Sequence, residues 1–362
     1  HLVDSGILGL HPEWFGGENG IPQTFSGDEF WDLQGRWVGT ALNLFGIAYN
    51  TDSLQRLGYP GRPERWEDLA DPHFWGEVAL SDPTKSGAVA KAYEMVVQYK
   101  IQQARLSLGL TSRIDAQEDP QLNKTALELG WTQALELLQQ TCANARYFTD
   151  AAGKPVISVS NGDCAICQSI AFYARFQQET NRLRGGKRRF EYFTPVNGTS
   201  VSVDPIAMLR GAKNPQLALD FIEYVLSLEG QKIIHHRVGT PGGPERYQLG
   251  RTPIRKELYG PEYLPFAADT ENRPYEHAAG FVYHPEWTLP IFDVMRFVFK
   301  VAFIDVHEEL KSAWKAILKA QRKGHTQRAE RALEVFSDMS LLSYDRACGS
   351  LHRTIKSRNR ID

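Results

Sequence analysis

Short apolar runs alternate along this chain with longer segments whose apolar residues recur at helical spacing. Residues 76–80 form a compact apolar run that predicts a buried strand. A polar turn over 81–87 follows, and Ala, Met and Val then recur at helical spacing over 88–109. Residues 121–145 predict a second amphipathic helix. Strands that alternate with helices in this way predict an α/β fold with largely parallel sheets.

Further strands are predicted where β-branched and aromatic residues stand between turn residues. Such runs occupy residues 37–40, 43–50 and 156–159. Another short apolar run, over residues 164–167, predicts a strand that enters a helix over 168–180.

Helices dominate the prediction for the C-terminal third. Asn214 caps a clearly amphipathic helix, and the helix after it carries His235 and His236. Adjacent helix residues point about 100° apart and cannot chelate one metal together, so we expect both histidines at the surface. Residues 289–342 predict charged helices with an apolar side, and residues 350–362 predict a loose tail.

The junction between the strand at 76–80 and the helix at 88–109 is a candidate anion site. The first turn of a helix has unpaired N–H donors, and the peptide dipoles add partial positive charge there. Ser86 supplies a hydroxyl, and Gly87 lets a ligand approach the backbone closely. The alternative is an ordinary cap, in which Thr84 or Ser86 satisfies the helix end and nothing else binds.

A second junction of the same kind follows the apolar run at residues 164–167. Its polar members are Gln168, Ser169 and Tyr173. Each is either a ligand-binding residue or a cap or half-buried surface residue, and the sequence leaves both interpretations open.

Composition excludes several classes of function. The 362 residues hold 41 Lys plus Arg against 43 Asp plus Glu, so the chain lacks the overall basic charge that binds nucleic acid. No apolar run approaches the roughly 20 residues that span a bilayer. The chain begins with His, which indicates a processed or trimmed chain. The basic run over residues 182–189 predicts a solvated hairpin tip, with phosphate binding as the less favoured alternative.

Two of the four cysteines, Cys164 and Cys167, form a C-x-x-C motif. This motif occurs in redox pairs and in half zinc sites, but a zinc site requires a second Cys or His pair at similar spacing. Because the motif lies in a small apolar run, we interpret both residues as compact core side chains.

The order of these pieces resembles the extracytoplasmic solute-binding proteins of ABC importers, in the type II class of periplasmic binding proteins. The resemblance covers roughly residues 37–260. Within the class, this part of the chain resembles most the branch that binds ferric ion and phosphorylated solutes. Its most specific part is a helix pair that leads to an extended segment. The residues that carry the resemblance are Trp37-Val38-Gly39, Tyr49-Asn50, Trp66-Glu67-Asp68-Leu69, Asp82-Pro83, Ser86-Gly87, Gly162-Asp163, Asn214-Pro215, Glu229-Gly230-Gln231 and Thr252-Pro253-Ile254-Arg255.

The resemblance implies two α/β lobes around a ligand cleft, with helices added at the C-terminus. The implied segments are 1–40 as part of lobe one, 41–199 as lobe two, 200–288 as the continuation of lobe one and 289–362 as a C-terminal helical extension. Whether this extension packs on lobe one or forms a partner surface stays open. Relatives carry further strand–helix units before the point where this chain begins, so part of lobe one is expected to lie outside this sequence.

The resemblance also implies which residues bind the solute. Ser86, Gly87 and Ala88 correspond to the positions where ferric-binding relatives hold their anion. The chain is expected to cross between lobes near Val38–Ala41 and again near Ser200–Asp204. Thr84, Ser200 and Asp204 complete the candidate ligand-binding residues. Iron-binding members have two adjacent tyrosines after the second junction, whereas this chain has Tyr173 alone, so we expect no metal and no cofactor.

The hypothesis from the sequence is a receptor that closes its lobes on a small anionic solute, such as a phosphorylated sugar, and delivers it to a membrane permease. We expect a monomer that is periplasmic or otherwise extracytoplasmic, with or without a lipid anchor, and that has no enzymatic activity. One alternative is a ferric-iron receptor. Another is an enzyme on the same two-lobed scaffold that uses Asp82 or Asp163 in acid–base roles.

Overall fold

The computed structural model describes residues 1–115, 117–183, 189–270, 273–277 and 280–358. Helices and strands alternate through most of this part of the chain, so the α/β class is confirmed. The strands are β1 (Leu2–Val3), β2 (Thr24–Phe25), β3 (Asp28–Glu29), β4 (Val38–Asn43), β5 (Phe45–Asn50), β6 (Val78–Ser81), β7 (Ala145–Thr149), β8 (Ile166–Ile170), β9 (Phe190–Phe193), β10 (Ser202–Ile206), β11 (Met208–Leu209) and β12 (Thr252–Pro253). The helices are α1 (Ile7–Leu10), α2 (Thr51–Leu57), α3 (Gly87–Ser107), α4 (Pro120–Ala143), α5 (Lys154–Asn161), α6 (Ala171–Leu183), α7 (Pro215–Leu226), α8 (Leu228–His235), α9 (Pro274–His277), α10 (Pro285–Thr288), α11 (Phe292–Phe299), α12 (His307–Arg322), α13 (Thr326–Phe336), α14 (Tyr344–Arg346) and α15 (His352–Arg358).

Contacts divide the chain into two compact units. The first unit comprises residues 1–44 and 200–283, and the second comprises residues 45–199 and 284–362. The predicted C-terminal extension, residues 289–362, therefore belongs by its contacts to the second unit. No helix in the described part of the chain is both long and apolar enough to cross a membrane.

The first unit is built on antiparallel strands. Its three-stranded sheet has the order β10-β4-β12, and both neighbours of β4 run antiparallel to it. A β-bulge interrupts the pairing of β10 with β4 between Asp204 and Pro205, since proline cannot donate to the ladder. The helix pair α7 and α8 belongs to this unit, and Asn214 caps α7 as predicted by accepting from the amide of Leu217 at 3.1 Å.

The second unit contains a five-stranded mixed sheet in the order β7-β6-β8-β5-β9. Strands β7, β6 and β8 run parallel to one another, whereas β5 is antiparallel to both β8 and β9. The expectation of largely parallel sheets is therefore wrong for the whole chain and holds for these three strands. Strand direction depends on pairings between residues far apart in sequence, which periodicity does not encode.

The predicted helices over 88–109 and 121–145 are confirmed as α3 and α4, which pack against each other through a close approach at Gly130. A Cβ on Gly130 would lie 2.3 Å from the Cα of Ile101 and 2.9 Å from the carbonyl oxygen of Lys100. Both distances are far below a van der Waals contact and involve backbone atoms that cannot move aside independently. Glycine is therefore required where these helices cross.

Gly130→Ala is expected to lower the free energy of unfolding by about 1–3 kcal/mol, because the added methyl group forces the two helix backbones apart. Urea denaturation measures this change. Gly349→Ala is the matched control, since a Cβ at this helical glycine meets nothing within 4 Å. The control is expected to be neutral or slightly stabilising, and equal effects of the two substitutions would contradict the account.

Three local predictions are wrong. Residues 156–159 lie in helix α5 and not in a strand, because Pro155 favours the first turn of a helix and Gly162, at φ 84°, ends the helix in the left-handed conformation. The expected loose tail contains helix α15 over His352–Arg358. The helix expected from Gln168 begins at Ala171. Residues 184–188 of the basic run lie outside the described residues.

The expectation that His235 and His236 lie at the surface is also wrong, since their exposed fractions are 6% and 1%. The chain returns over the end of α8, where Ala267 forms a β-bridge with His236 and the ring of Phe266 lies 5.4 Å from the imidazole of His236. The ring of Tyr259 lies 6.1 Å from that of His235. This burial is the main cause that lowers the pKa of His235 to about 4.

Candidate functional site

The candidate site lies in the second unit, at the edge of the sheet where β7, β6 and β8 end. In the register of the parallel strands Val78 faces Ile166, and Ser81 faces Thr149. The hydroxyl of Ser81 lies 2.9 Å from that of Thr149 and donates to the carbonyl of Ala151 at 3.1 Å. The two predicted strand–loop–helix junctions are therefore neighbours. Open α/β sheets usually bind ligands at this end of their strands.

The loop between β6 and α3 is held from within and from outside. The buried carboxylate of Asp82 accepts from the amide of Thr84 at 2.8 Å and from its hydroxyl at 2.6 Å. Arg296 of helix α11 donates to the carbonyl of Pro83 at 3.1 Å and to that of Thr84 at 3.0 Å. The amide, the hydroxyl and the carbonyl of Thr84 therefore all form hydrogen bonds that fix the conformation of the loop. Sequence reasoning missed Arg296, since a contact across 212 residues leaves no local signal.

Helix α3 begins at the end of this loop with an open first turn. Ser86 is the N-cap, and its hydroxyl oxygen accepts from the amide of Val89 at 3.4 Å. Gly87 and Ala88 are exposed, and a Cβ on Gly87 would meet nothing within 4 Å. Among the described residues, the amides of Ser86, Gly87 and Ala88 have no hydrogen-bond acceptor. The predicted cap is present, and the helix end still offers donors beside it.

The three residues predicted at the second junction are divided between strand β8 and helix α6. Gln168 and Ser169 belong to strand β8, where Gln168 donates to the carbonyl of Ala92 at 2.8 Å. The buried Ser169 donates to the carbonyl of Ile170 at 3.0 Å. Tyr173 is exposed on the first turn of α6. Gln168 and Ser169 therefore support the local structure, and Tyr173 presents its side chain to solvent.

A small cavity lies between the two junctions, and its volume is about 20 Å³. Ser81, Val89, Ala152, Gln168 and Ser169 are among its lining residues. A volume of this size accommodates about one water molecule, whereas ligand pockets usually measure about 300–1,000 Å³. At this edge of the sheet a solute therefore fits at the open end of α3 and not in the cavity.

Ser200 and Asp204 belong to the first unit. Ser200 is buried, and its hydroxyl donates to the carboxylate of Asp28. Asp204 lies in strand β10 and forms an ion pair with Arg251. Both side chains thus have partners within their own unit.

Cys164 and Cys167 are core residues, as predicted. Both are free and buried in an apolar cluster with Ala48, Ala79 and Val156. Burial raises the pKa of both thiols, so the reactive thiolate is disfavoured. In the described part of the chain, no group of three or more His, Cys, Asp or Glu side chains is arranged to hold a metal ion.

Residues 18–252 match the family of bacterial extracellular solute-binding proteins. The chain belongs to this family. The match covers well over half of the 362 residues and confirms the resemblance to solute-binding proteins. It therefore places the chain in a family of extracellular proteins that is defined by solute binding and not by catalysis.

Curated relatives are similar at low identity. The chain is 25% identical over 201 residues to an uncharacterized protein of Haemophilus influenzae. The aligned region covers 55% of this chain and 48% of that protein. It is 25% identical over 205 residues to a putrescine/agmatine-binding protein of Pseudomonas aeruginosa, with the same coverage. The putrescine-binding periplasmic protein PotF of Escherichia coli is 26% identical over 184 residues, which cover 50% of this chain and 44% of PotF. The chain thus spans about half the length of the curated relatives that it matches.

Two solved structures show the extent of structural similarity. The periplasmic binding protein AfuA of Actinobacillus pleuropneumoniae, with fructose-6-phosphate bound, has a TM-score of 0.48 and 18% identity over 81% of this chain and 72% of AfuA. The apo ferric ion-binding protein A of Pasteurella haemolytica has a TM-score of 0.49 and 15% identity over 84% of this chain and 81% of that protein. At TM-scores below 0.5, neither similarity identifies a ligand for this chain.

Proposed function

We propose that this chain is part of a solute-binding receptor of an ABC importer and that it holds a small anionic solute, such as a phosphorylated sugar, at the start of α3. The observation that carries the proposal is the exposed first turn of α3, where the amides of Ser86, Gly87 and Ala88 have no acceptor among the described residues. Such donors, together with the helix dipole, attract phosphate and carboxylate groups.

The surroundings of this turn favour an anion over a cation. The carboxylate nearest in sequence is Asp82, which is buried and already accepts two hydrogen bonds from Thr84. A polyamine would require carboxylates that are free to pair with its ammonium groups. The putrescine-binding relatives therefore indicate the receptor class, while the chemistry at α3 favours a different solute.

The loop is also preorganised for binding. Arg296 donates to the carbonyls of Pro83 and Thr84, so these oxygens already have a donor while the amides of the helix end stay available. A ligand then binds without first ordering the loop, which lowers the entropic cost of association.

The proposal also includes lobe closure, delivery of the solute, oligomeric state and location. Capture by closure of two lobes and delivery to a membrane permease follow from the ABC-importer role of such receptors. We further propose that the protein acts as a monomer outside the cytoplasm, with or without a lipid anchor, and catalyses no reaction. Tyr173 has no adjacent second tyrosine in the sequence. This argues against the ferric-iron alternative, because Fe(III) favours several hard anionic oxygen ligands.

Native mass spectrometry of the purified chain tests the proposal. The chain is measured as isolated and again after mild denaturation, refolding and addition of fructose-6-phosphate, putrescine or Fe(III). A retained ligand that fragments to phosphate, or a one-to-one adduct with the phosphorylated sugar alone, is the expected result. An adduct with putrescine or iron alone would overturn the choice of an anionic solute. A folded chain that stays bare with every phosphorylated sugar tried would overturn the site at α3.

A further inference from the structure

A second concave surface lies far along the chain from the candidate site, in the helical hairpin of α12 and α13. The groove between these helices, which we call the hairpin groove, has a volume of about 570 Å³. This volume falls within the usual range of ligand pockets, about 300–1,000 Å³. All of its lining residues lie between Ala313 and Phe336, so one supersecondary unit builds the whole site.

The floor of the hairpin groove is apolar. Helix α12 contributes Ala313, Ala316, Ile317 and Ala320, whose spacing keeps them on one side of the helix. From α13, Val335 lines the groove with 76% of its surface exposed. An apolar surface of this kind, left open on two adjacent helices, is a feature that ligands or partners cover.

The floor is also held in a fixed position. The ring of Phe336 stacks on that of Trp314, with 5.4 Å between the ring centres. The carbonyl of Phe336 accepts from the side-chain amide of Gln139 in helix α4 at 2.9 Å. The end of α13 is thereby attached to the body of the unit, so the groove exists before any ligand arrives.

Charge is confined to one end of the hairpin groove. Lys319 and Lys323 lie at the end of α12, and His325 and Arg328 lie at the start of α13, so all four line the groove beside the turn. Within the described part of the chain, Lys319, Lys323 and Arg328 form no ion pair. No acidic side chain is among the lining residues. The groove thus has a basic end and an apolar floor.

We propose that the hairpin groove binds a single-chain anionic amphiphile. The carboxylate or phosphate head group pairs with Lys319, Lys323 and Arg328, and the alkyl chain covers the floor toward Val335. Lysine and arginine without partners bind such oxygens by charge-assisted hydrogen bonds, and burial of the chain removes apolar surface from water. An acidic helix from a partner protein is less well matched, because such a helix lays several apolar anchors along a hydrophobic groove, whereas this groove is basic at one end.

Isothermal titration calorimetry with dodecanoate, kept below its micelle concentration, tests the site. We expect saturable binding of one molecule per chain. Dodecyltrimethylammonium has the same chain with the opposite charge, and acetate has the same head group without the chain, so neither is expected to bind. Equal binding of the cationic and anionic amphiphiles would overturn the proposal, because it would indicate nonspecific hydrophobic adsorption.

Variants locate the binding. The double variant Lys319→Glu/Arg328→Glu is expected to bind dodecanoate at least about tenfold more weakly, since two attractive charges become repulsive. Val335→Asp is expected to weaken binding by placing a charge on the floor. Arg331→Glu is the matched control, because Arg331 lies on α13 but does not line the groove. Circular dichroism verifies that each variant is folded.

Two results would show that the groove is not the site: an unchanged affinity in the double variant, or equal loss of affinity in Arg331→Glu. A change at the start of α3 is expected to leave dodecanoate binding intact, so this inference and the proposed solute site fail independently. Binding of an acidic helical peptide in place of dodecanoate would replace the amphiphile by a protein partner and overturn the proposal as stated.

Discussion

Gly87→Asp is expected to weaken binding of fructose-6-phosphate by at least about tenfold, or about 1.4 kcal/mol. The new carboxylate would stand at the first position of α3, beside the amides that are proposed to hold the anion. It would repel the ligand and compete for the same donors. Isothermal titration calorimetry of the wild-type and variant chains measures the change.

This substitution separates binding from folding. A Cβ on Gly87 meets no atom within 4 Å, and an acidic side chain in the first turn of a helix is favourable by about 0.3–1 kcal/mol. The variant is therefore expected to be as stable as the wild type or slightly more stable. An Ala substitution would remove neither charge nor donor and would test much less.

Gln121→Asp is the matched control for this experiment. Gln121 is exposed in the first turn of α4, so the change adds the same charge at the start of another helix of the same unit. Its affinity for the phosphorylated sugar is expected to equal that of the wild type. Retention of full affinity by Gly87→Asp would show that the anion does not bind at α3, and stronger binding of putrescine alone would point to a cationic solute.

Arg105→Ala is expected to lower the free energy of unfolding by about 3–5 kcal/mol, because it removes one partner of a buried ion pair. The side chain of Arg105 is fully buried near the end of α3. It contacts Glu118 at 2.7 Å, and it donates to the carbonyls of Thr111 at 2.9 Å and Arg113 at 3.1 Å. It also donates to the side chain of Asn123 in α4.

The size of the effect follows from what the truncation would leave behind. The carboxylate of Glu118, which is 11% exposed, would lose the donor that is the main cause of its lowered pKa. The carbonyls of Thr111 and Arg113 would lose their bonds to Arg105 as well. Urea denaturation followed by tryptophan fluorescence measures the loss. Arg105→Lys is expected to recover only part of the stability, since lysine lacks the planar fork that reaches several acceptors.

The control is an ion pair at the surface. Arg62 lies 3.5 Å from Glu64, and the two side chains are 74% and 71% exposed. Arg62→Ala is expected to change the stability by no more than about 0.5 kcal/mol. A loss below about 1 kcal/mol for Arg105→Ala would contradict the account of Arg105 as the buried partner of Glu118.

The sequence by itself determined the elements whose signals are local. Helices α3 and α4 follow from apolar residues at helical spacing. The caps at Ser86 and Asn214 follow from side chains that accept from the backbone amide three residues later. The compact apolar run before the Ser86 turn likewise predicts strand β6. The candidate site at the start of α3 could be predicted because its parts are contiguous in sequence.

In two other segments the local signals conflict with one another or with the sheet. The β-branched residues of 156–159 favour a strand, whereas Pro155 in the first turn and Gly162 at the C-cap favour a helix. The sequence pattern places Gln168 and Ser169 in a helix, whereas both belong to β8, and Gln168 donates to the carbonyl of Ala92.

Only the tertiary structure decided the features that depend on distant residues. Arg296 reaches the loop before Ser86 across 212 residues. His235 and His236 are buried because a later segment returns over α8. The antiparallel direction of β5 arises in the same way, from its pairing with β8 and β9. These contacts depend on which surfaces pack together in the folded chain. Residue spacing encodes local secondary structure and not this packing.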